Sequence, residues 1–246
     1  MLNNSIRKEL TNIVGKENVS FLAEDTLCYS YDATGEKNMP EAVIFPCDAS
    51  EVSKVMRLAN ANGFAVVPRG AGSGFTGGSL PVNGGVVLTT ERMGEIEIDP
   101  DNMVAFVGSG VVLGELQDEV EKHGLFYPPD PTSLKFSSIG GNICEGSGGP
   151  RAIKYGTTRD YVLGLELVLP TGEVLNTGVR TMKGVVGYDL ARLMVGSEGT
   201  LGVVTKATLK LIPLPEFTRT MYVTYASLED AAKSVSRIIS SKVVPS

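Results

Sequence analysis

A chain of 246 residues, 42% of them hydrophobic, can bury enough apolar surface for one large domain or two lobes. Its net charge of −6 argues against nucleic acid or an anionic membrane as the default partner. Three cysteines (Cys28, Cys47 and Cys144) without metal spacing fit a reducing cytoplasm, and a single histidine excludes a multi-histidine metal site within the chain.

The start, Met1-Leu2-Asn3-Asn4-Ser5, is too polar for a signal peptide, and no apolar run reaches the ~18 residues of a membrane span. A cytoplasmic location is expected, with any membrane association made through a partner. Asp48 and Glu51 form a capping box for a helix with Val52, Val55, Met56 and Ala59 on one face, closed by Gly63. The apolar run Phe64-Ala65-Val66-Val67 then predicts a buried strand.

Seven glycines crowd the eighteen residues from Pro68 to Gly85. Backbone without Cβ atoms can turn several amides towards one anion, and the preceding strand places this loop at a sheet edge. The loop predicts a phosphate cradle, suited to the diphosphate of a dinucleotide; a flexible surface loop is the plain alternative. It is not the NAD-type fingerprint, because Gly70-Ala71-Gly72-Ser73-Gly74 lacks the final spaced glycine and no helix opens from it. The next element, Val86-Val87-Leu88-Thr89, reads as a strand, so the cradle is strand–loop–strand. No Gly-Lys-Ser/Thr closes the run, which excludes a P-loop.

Further along, Asp99-Pro100-Asp101-Asn102 turns a hairpin. A helix with the stripe Val112, Leu113, Leu116 and Val120 ends at Gly124, where His123 favours the helix dipole. A second cluster, Ser138 to Gly149, holds five glycines in twelve positions, and a third, Gly196 to Gly202, holds three in seven. Between them, Tyr161–Leu169 and Glu173–Thr177 form a hairpin turned by Pro170-Thr171-Gly172. A strand over Val203–Ile212 puts Val203, Ala207, Leu209 and Leu211 on one apolar face. Three separated stretches of close backbone approach point to one long ligand lying across several loops.

The last elements read as a strand, Met221–Tyr225, and a helix, Leu228–Ser240, with Leu228, Ala231, Ala232, Val235, Ile238 and Ile239 inward. One strand and one helix cannot bury such a face alone. The face is expected to lie partly exposed or to be covered by a second copy. On this reading the chain is a fragment, a truncated chain or one subunit of a split enzyme.

The motifs Pro68-Arg69-Gly70-Ala71-Gly72, Pro129-Asp130-Pro131-Thr132-Ser133, Ser138-Ile139-Gly140-Gly141-Asn142, Lys154-Tyr155-Gly156 and Gly196-Ser197-Glu198-Gly199-Thr200-Leu201-Gly202 stand in a telling order. Through them the chain resembles the FAD-binding half of an FAD-linked D-2-hydroxyacid dehydrogenase. These are relatives of the glycolate oxidase flavin subunit and D-lactate dehydrogenase, in the vanillyl-alcohol oxidase and p-cresol methylhydroxylase superfamily. The resemblance covers residues ~40 to ~215 and implies an α+β, two-lobed FAD-binding fold. It divides the chain into an FAD-binding domain over 1–216, with lobes at about 40–124 and 125–216. Residues 217–246 would then be the first strand and helix of an incomplete substrate or cap domain.

The resemblance also implies an activity, the oxidation of a D-2-hydroxy acid such as D-lactate or glycolate by hydride transfer to flavin. A separate electron acceptor (an electron-transfer protein or a quinone) would follow, together with self-association or a partner subunit. A non-catalytic FAD-carrying or assembly subunit, or a fragment of a sugar-lactone oxidase or ether-lipid synthase relative, are the alternatives. Some superfamily members tether flavin through a histidine in the glycine loop; this chain has Ser73 there, so non-covalent FAD is expected. Amides from Arg69 to Gly74 (Gly70, Ala71, Gly72 and Ser73 between them), with Gly78 and Ser79, are expected to cradle the diphosphate beyond Pro68. Pro131, Thr132 and Ser133 would lie beside the flavin end, with Ser138, Gly141, Asn142, Gly148 and Gly149 along the ribityl–diphosphate stretch. Tyr155 and Gly156, and Glu198, Gly202 and Val203, complete the expected cofactor set.

Arg69 has two readings, ion pairing to an acid within the fold or charge near the phosphates, and the motif favours the first. Arg151 and Lys154 could edge the site or merely support it. The family's acid-binding and base residues sit mostly in its cap half, so no catalytic residue is assigned. One departure concerns the second cluster, where Gly146-Ser147 stands in place of the usual Asn-Ala before the paired glycines. Loss of the Asn amide would remove a hydrogen bond of ~1 kcal/mol.

Overall fold

The computed structural model describes residues 2–181, 183–241 and 244–245. The first unit is built on a four-stranded sheet. Its elements are α1 (Asn4–Val14), β1 (Val19–Ser20), α2 (Ala23–Leu27), β2 (Ala42–Ile44), α3 (Ala49–Asn62), β3 (Val66–Arg69) and β4 (Val86–Thr89). The strand order is β1-β2-β4-β3, with β1 antiparallel to β2, and β2 and β3 both parallel to β4. Leu10 and Val14 of α1 and Val52 and Val55 of α3 pack with Ile44, Val86 and Leu88 in one core.

The sequence sets α3 in a simple way. The Asp48 carboxylate accepts from the Glu51 amide at 2.8 Å, and the Glu51 carboxylate accepts from the Cys47 amide at 2.8 Å. Gly63 ends the helix at φ 68°, a conformation costly for any residue with a Cβ. The strand expected over Phe64–Val67 is shifted: β3 runs Val66–Arg69, and Arg69 is its one fully buried residue. It is an edge strand, and it contains Pro68, which has no N–H to give to any neighbour. Adjacent parallel strands need a crossover of a dozen or more residues, usually a helix. Here the glycine loop itself is the crossover from β3 to β4.

The second unit contains β5 (Ile96–Asp99), β6 (Val104–Gly108), α4 (Leu113–Glu121), β7 (Leu125–Phe126), α5 (Ile139–Glu145), α6 (Ala152–Tyr155), α7 (Thr158–Tyr161), β8 (Val162–Val168), β9 (Val174–Gly178), α8 (Leu190–Met194), β10 (Val203–Lys210) and β11 (Ile212–Pro213). Five of these strands form an antiparallel sheet in the order β5-β6-β10-β8-β9, and β11 pairs with β7. Leu113, Leu116 and Val120 of α4 and Ile139 and Ile143 of α5 fill the core against Val107, Leu167 and Leu209. The five-stranded sheet begins with β5. The hairpin β5–β6 pairs with β10, about a hundred residues later, and local pattern carries no trace of that partner.

The register of β10 against β8 slips between Val204 and Lys206. Thr205 stands at the irregularity and donates to the Glu166 carboxylate at 2.8 Å. Beyond β11 the chain changes character. Met221–Tyr225 is not a strand: these residues are exposed and, among the described residues, have no neighbouring strand to pair with. The helix α9 (Leu228–Ser240) does form, with the Ser227 hydroxyl accepting from the Asp230 amide at 3.1 Å, but none of its residues is buried. Its apolar residues do not turn inward on this chain. Among the described residues, no helix is long and apolar enough to cross a membrane.

Candidate functional site

The glycine loop is held from below by Arg69. The guanidinium donates to the Tyr31 carbonyl at 2.8 Å and to the Ser79 hydroxyl at 3.3 Å, and lies 5.7 Å from the Tyr29 ring centroid. Its partners are a carbonyl and a hydroxyl rather than the acid the motif favoured. Burial lowers its pKa, while nearby Asp32 pulls the other way. Gly72 sits directly over this cation at φ +65°, and a Cβ there would collide with the guanidinium. The turn from Tyr31 to Thr34 closes on the loop from the side, with the Ala33 amide donating to the Gly74 carbonyl at 3.2 Å.

The second cluster meets the first at close range. Ser138 caps α5 by accepting from the Gly141 amide at 3.2 Å, and any Cβ on Gly70 would strike that same hydroxyl. The Gly140 amide donates to the Ser109 carbonyl at 2.8 Å. Gly146 ends α5 in the left-handed region at φ 64°, ψ 38°. Asparagine is the other residue that tolerates this conformation, so glycine in place of the usual Asn keeps the turn. Ser147 is tied by its hydroxyl to Thr158, 3.1 Å away.

The third cluster wraps the end of α5. The Gly196 amide donates to the Ile143 carbonyl at 3.0 Å, and the Glu198 amide to the Cys144 carbonyl at 2.9 Å. Glu198 holds φ 52°, a left-handed backbone at a residue with a side chain, which costs free energy and concentrates at functional sites. A Cβ on Gly199 would stand 3.2 Å from Cγ of Pro68, which brings the third cluster onto the first.

Together the clusters enclose a cleft of about 920 Å³. Pro68 to Gly74, Gly78, Ser79, Pro131, Thr132, Ser133, Ser138, Gly141, Asn142, Gly148, Gly149, Glu198 and Val203 all line it. Tyr155, Gly156 and Gly202 do not. Tyr155 packs edge-on against Phe126 at 5.7 Å, Gly156 presses on Asp160, and Gly202 fills a tight space beside Leu167 and Val168. Arg151 is paired with Asp130 at 3.3 Å and Lys154 lies over the Tyr155 ring at 5.0 Å, so both take the supporting role.

The cleft also contains residues that sequence reasoning missed, among them Tyr31, Asp32, Ala33, Phe75, Thr76, Phe136, Ser137 and Glu145. Phe75 is 80% exposed and Phe136 58%, and both line the cleft. Burial raises the Glu145 pKa, with the charges of Glu198 and Asp32 adding to the shift and the Thr76 hydroxyl opposing it. Cys144 is half-buried by area, and desolvation pushes its thiol up to about 11, so it is not a thiolate at neutral pH. Cys28 and Cys47 are exposed.

Two polar atoms decide what the cleft can hold. Ser137 Oγ and Asn142 Nδ2 are buried and find no hydrogen-bond partner among the described residues. Such atoms are rare and call for a missing partner. The family described as FAD binding domain matches residues 40–178. The chain belongs to this family. Spare donors, glycines packed too closely for side chains and a cleft of about 920 Å³ all fit FAD.

Glycolate oxidase subunit GlcD of Bacillus subtilis (strain 168) is 47% identical over 247 residues, covering 100% of this chain and 53% of that protein. D-lactate dehydrogenase of Archaeoglobus fulgidus is 43% identical, covering 84% of this chain and 48% of that one. The FAD-binding chain thus spans about half the length of the curated relatives it matches. Among solved structures, 6-hydroxy-D-nicotine oxidase of Arthrobacter nicotinovorans matches with a TM-score of 0.67 at 27% identity, over 80% of this chain and 42% of that one. Alkyldihydroxyacetonephosphate synthase matches with a TM-score of 0.84 at 24% identity, over 100% of this chain and 47% of that one, a likeness of fold. The architecture is the p-cresol methylhydroxylase type that the motifs imply.

Proposed function

We propose that this chain is the FAD module of a flavoprotein that oxidises a D-2-hydroxy acid such as D-lactate or glycolate, with FAD held non-covalently. The observation that carries the reading is the pair of buried, unpartnered polar atoms, Ser137 Oγ and Asn142 Nδ2, in a cleft walled by three glycine clusters. The likeness to GlcD and to D-lactate dehydrogenase supports the substrate class. Amides of Gly70 to Gly74, with Gly78 and Ser79, take the diphosphate, and the buried Arg69 cation beneath favours its charge. Pro131, Thr132 and Ser133 border the flavin end. Bound flavin supplies the hydride acceptor for the α-hydrogen of the hydroxy acid.

This chain's own work is to bind and orient. The α5 cap and the Gly140 amide bond fix the second cluster before any ligand arrives, so little ordering remains to be done on binding. The hydroxy acid and a separate electron acceptor complete the proposed set of partners, with a second copy or a partner subunit on the exposed tail. The test is direct. Purified protein, titrated with FAD, should bind it at micromolar levels and release all of it into the supernatant on acid denaturation. Well-folded protein that fails to bind FAD sinks the reading; flavin kept on the pellet sinks its non-covalent part.

A further inference from the structure

The helix α3 has two working faces. Val52, Val55 and Leu58 pack into the first unit's own core. Ser53, Arg57 and Asn60 form a second stripe at helical spacing, and this one meets the other unit. The Ser53 hydroxyl donates to the Gly172 carbonyl at 2.5 Å, and the Asn60 amide donates to the Pro170 carbonyl at 2.5 Å. Arg57 lies against the same turn, since a Cβ on Gly172 would stand 2.5 Å from its Cγ. Gly172 holds φ +82° in the tight turn between β8 and β9, with its amide donating to the Leu169 carbonyl at 2.8 Å. Ser53, Asn60, Pro170 and Gly172 all lie outside the cleft lining.

The turn nevertheless reaches the cleft through packed contacts. Val168 at the end of β8 pairs with Val203 of β10, and both are buried in the first unit's core. Val203 lines the cleft. Gly202 before it is pressed onto β8, its Cβ position 2.8 Å from Leu167 Cδ1 and 2.8 Å from the Val168 carbonyl oxygen. Gly199 of the same cluster closes on Pro68 of β3. Along the chain, α3 leads to that same residue through Gly63 and the start of β3. The contacts therefore form a ring: α3 to the turn, the turn to β8, β8 to the third cluster, the third cluster to Pro68, and Pro68 back to α3. Close-packed interiors transmit a displacement rather than absorb it, so opening the ring at α3 frees the third cluster to shift against the glycine loop.

We propose that Ser53 and Asn60 are positioning residues for the cofactor site: from outside the cleft they set the spacing between the glycine loop of the first unit and the third cluster of the second. This rests on the FAD reading and deepens it, because a ligand that spans several clusters is held well only when their spacing is fixed beforehand. Without the contact, every group that lines the cleft is still present. Its walls are no longer held in register, and the cost of ordering them moves to the binding step.

The experiment separates position from stability. FAD affinity is measured by flavin fluorescence, well below the melting temperature, for the parent, Ser53→Ala, Asn60→Ala and the double variant. Val14→Ala and Leu10→Ala serve as controls: they open cavities on α1 in the first unit's core, away from the α3–turn contact, and supply graded losses of stability. The melting temperature of each FAD-free protein is recorded. Positioning predicts roughly fivefold weaker FAD binding for Ser53→Ala and roughly tenfold for the double variant, through faster release. The α1 variants should keep the parent's affinity at comparable or larger losses of melting temperature. Asn60 is exposed, so Asn60→Ala carries the test should Ser53→Ala fail to fold. A contact that only supports the fold would lower the melting temperature and leave affinity untouched, which overturns the proposal. Equal weakening in the α1 variants overturns it too, because affinity would then follow stability. Both results leave the FAD reading intact, whereas a parent that binds no FAD, seen before any variant is made, removes that reading and this one together.

Discussion

Two regions of this molecule leave large apolar side chains in water, and they do so for different reasons. At the cleft, Phe75 and Phe136 stand out from a backbone fixed by tertiary contacts: a buried arginine, an α5 cap and amide bonds between loops. In the tail, Leu228 is 88% exposed and Tyr222 90%, and what holds α9 is local, the Ser227 cap and a Glu229–Lys233 pair at 2.6 Å. An exposed surface pair of this kind contributes little. The cleft is exposed and prepared; the tail is exposed and unsupported. Exposure alone does not distinguish a binding site from an unpartnered face; the hydrogen bonding beneath it does.

The sharpest way to break the comparison is at Gly72. Valine there adds a Cβ against the Arg69 guanidinium and forces a stiff side chain into a left-handed backbone. FAD affinity should fall by at least ~100-fold, equivalent to ~3 kcal/mol. The melting temperature should fall as well, because Arg69 is displaced from its burial. FAD titration and circular dichroism on parent and variant are the measurements, and unchanged affinity would mean that this loop holds no phosphate.

Asn142→Leu should have a smaller and two-sided effect. It removes a buried donor that has no partner, so the FAD-free protein should melt no lower than the parent, while FAD binding weakens by roughly tenfold. A parallel fall in both would show that the amide is bonded within the fold. Deleting residues 217–246 addresses the other region. FAD affinity should be unchanged within error, and any self-association seen by sizing chromatography should decline. A deletion that weakens FAD binding would make the tail part of the prepared site. A strict monomer with the tail present would show that its apolar face attracts no second copy.

The smallest expected effect concerns Glu145 in the FAD-free protein. Its carboxyl pKa is raised in the fold by burial and by neighbouring carboxylates, so the fold binds its proton more tightly than the unfolded chain does. The destabilising charge is therefore present at neutral pH and disappears as pH falls below the ordinary glutamate value of about 4.3. Glu145→Gln should melt slightly higher than the parent at pH 7, and the difference should close towards pH 4. A gap that widens on acidification would reverse the assigned sign.

The glycine clusters were legible because their geometry is written in residue identity. A position such as Gly72, with positive φ and a cation beneath it, admits nothing larger. The same holds for the cap of α3 and for the stripe of α4. What stayed hidden depends on main-chain groups or distant partners. The Tyr31 carbonyl and Ala33 amide that steady the loop could belong to almost any residues, so no pattern marks them. The pairing of β6 with β10 crosses about a hundred residues, and no local pattern marks it. Tyr155 and Gly156 sit in a motif near the cleft yet face away from it, since sequence order gives proximity without direction. The alternation in Met221–Tyr225 suits a strand, but a strand needs a neighbour.

Pro68 has a consequence beyond the cleft that it lines. The strand that carries it is the edge of a mixed sheet, and an edge strand is where another chain can add itself by main-chain pairing. A residue that cannot donate interrupts that pairing at its centre, and the buried arginine after it turns the chain away into the loop. The same two residues that lead the backbone towards the cleft thus leave the sheet edge without a main-chain donor at Pro68.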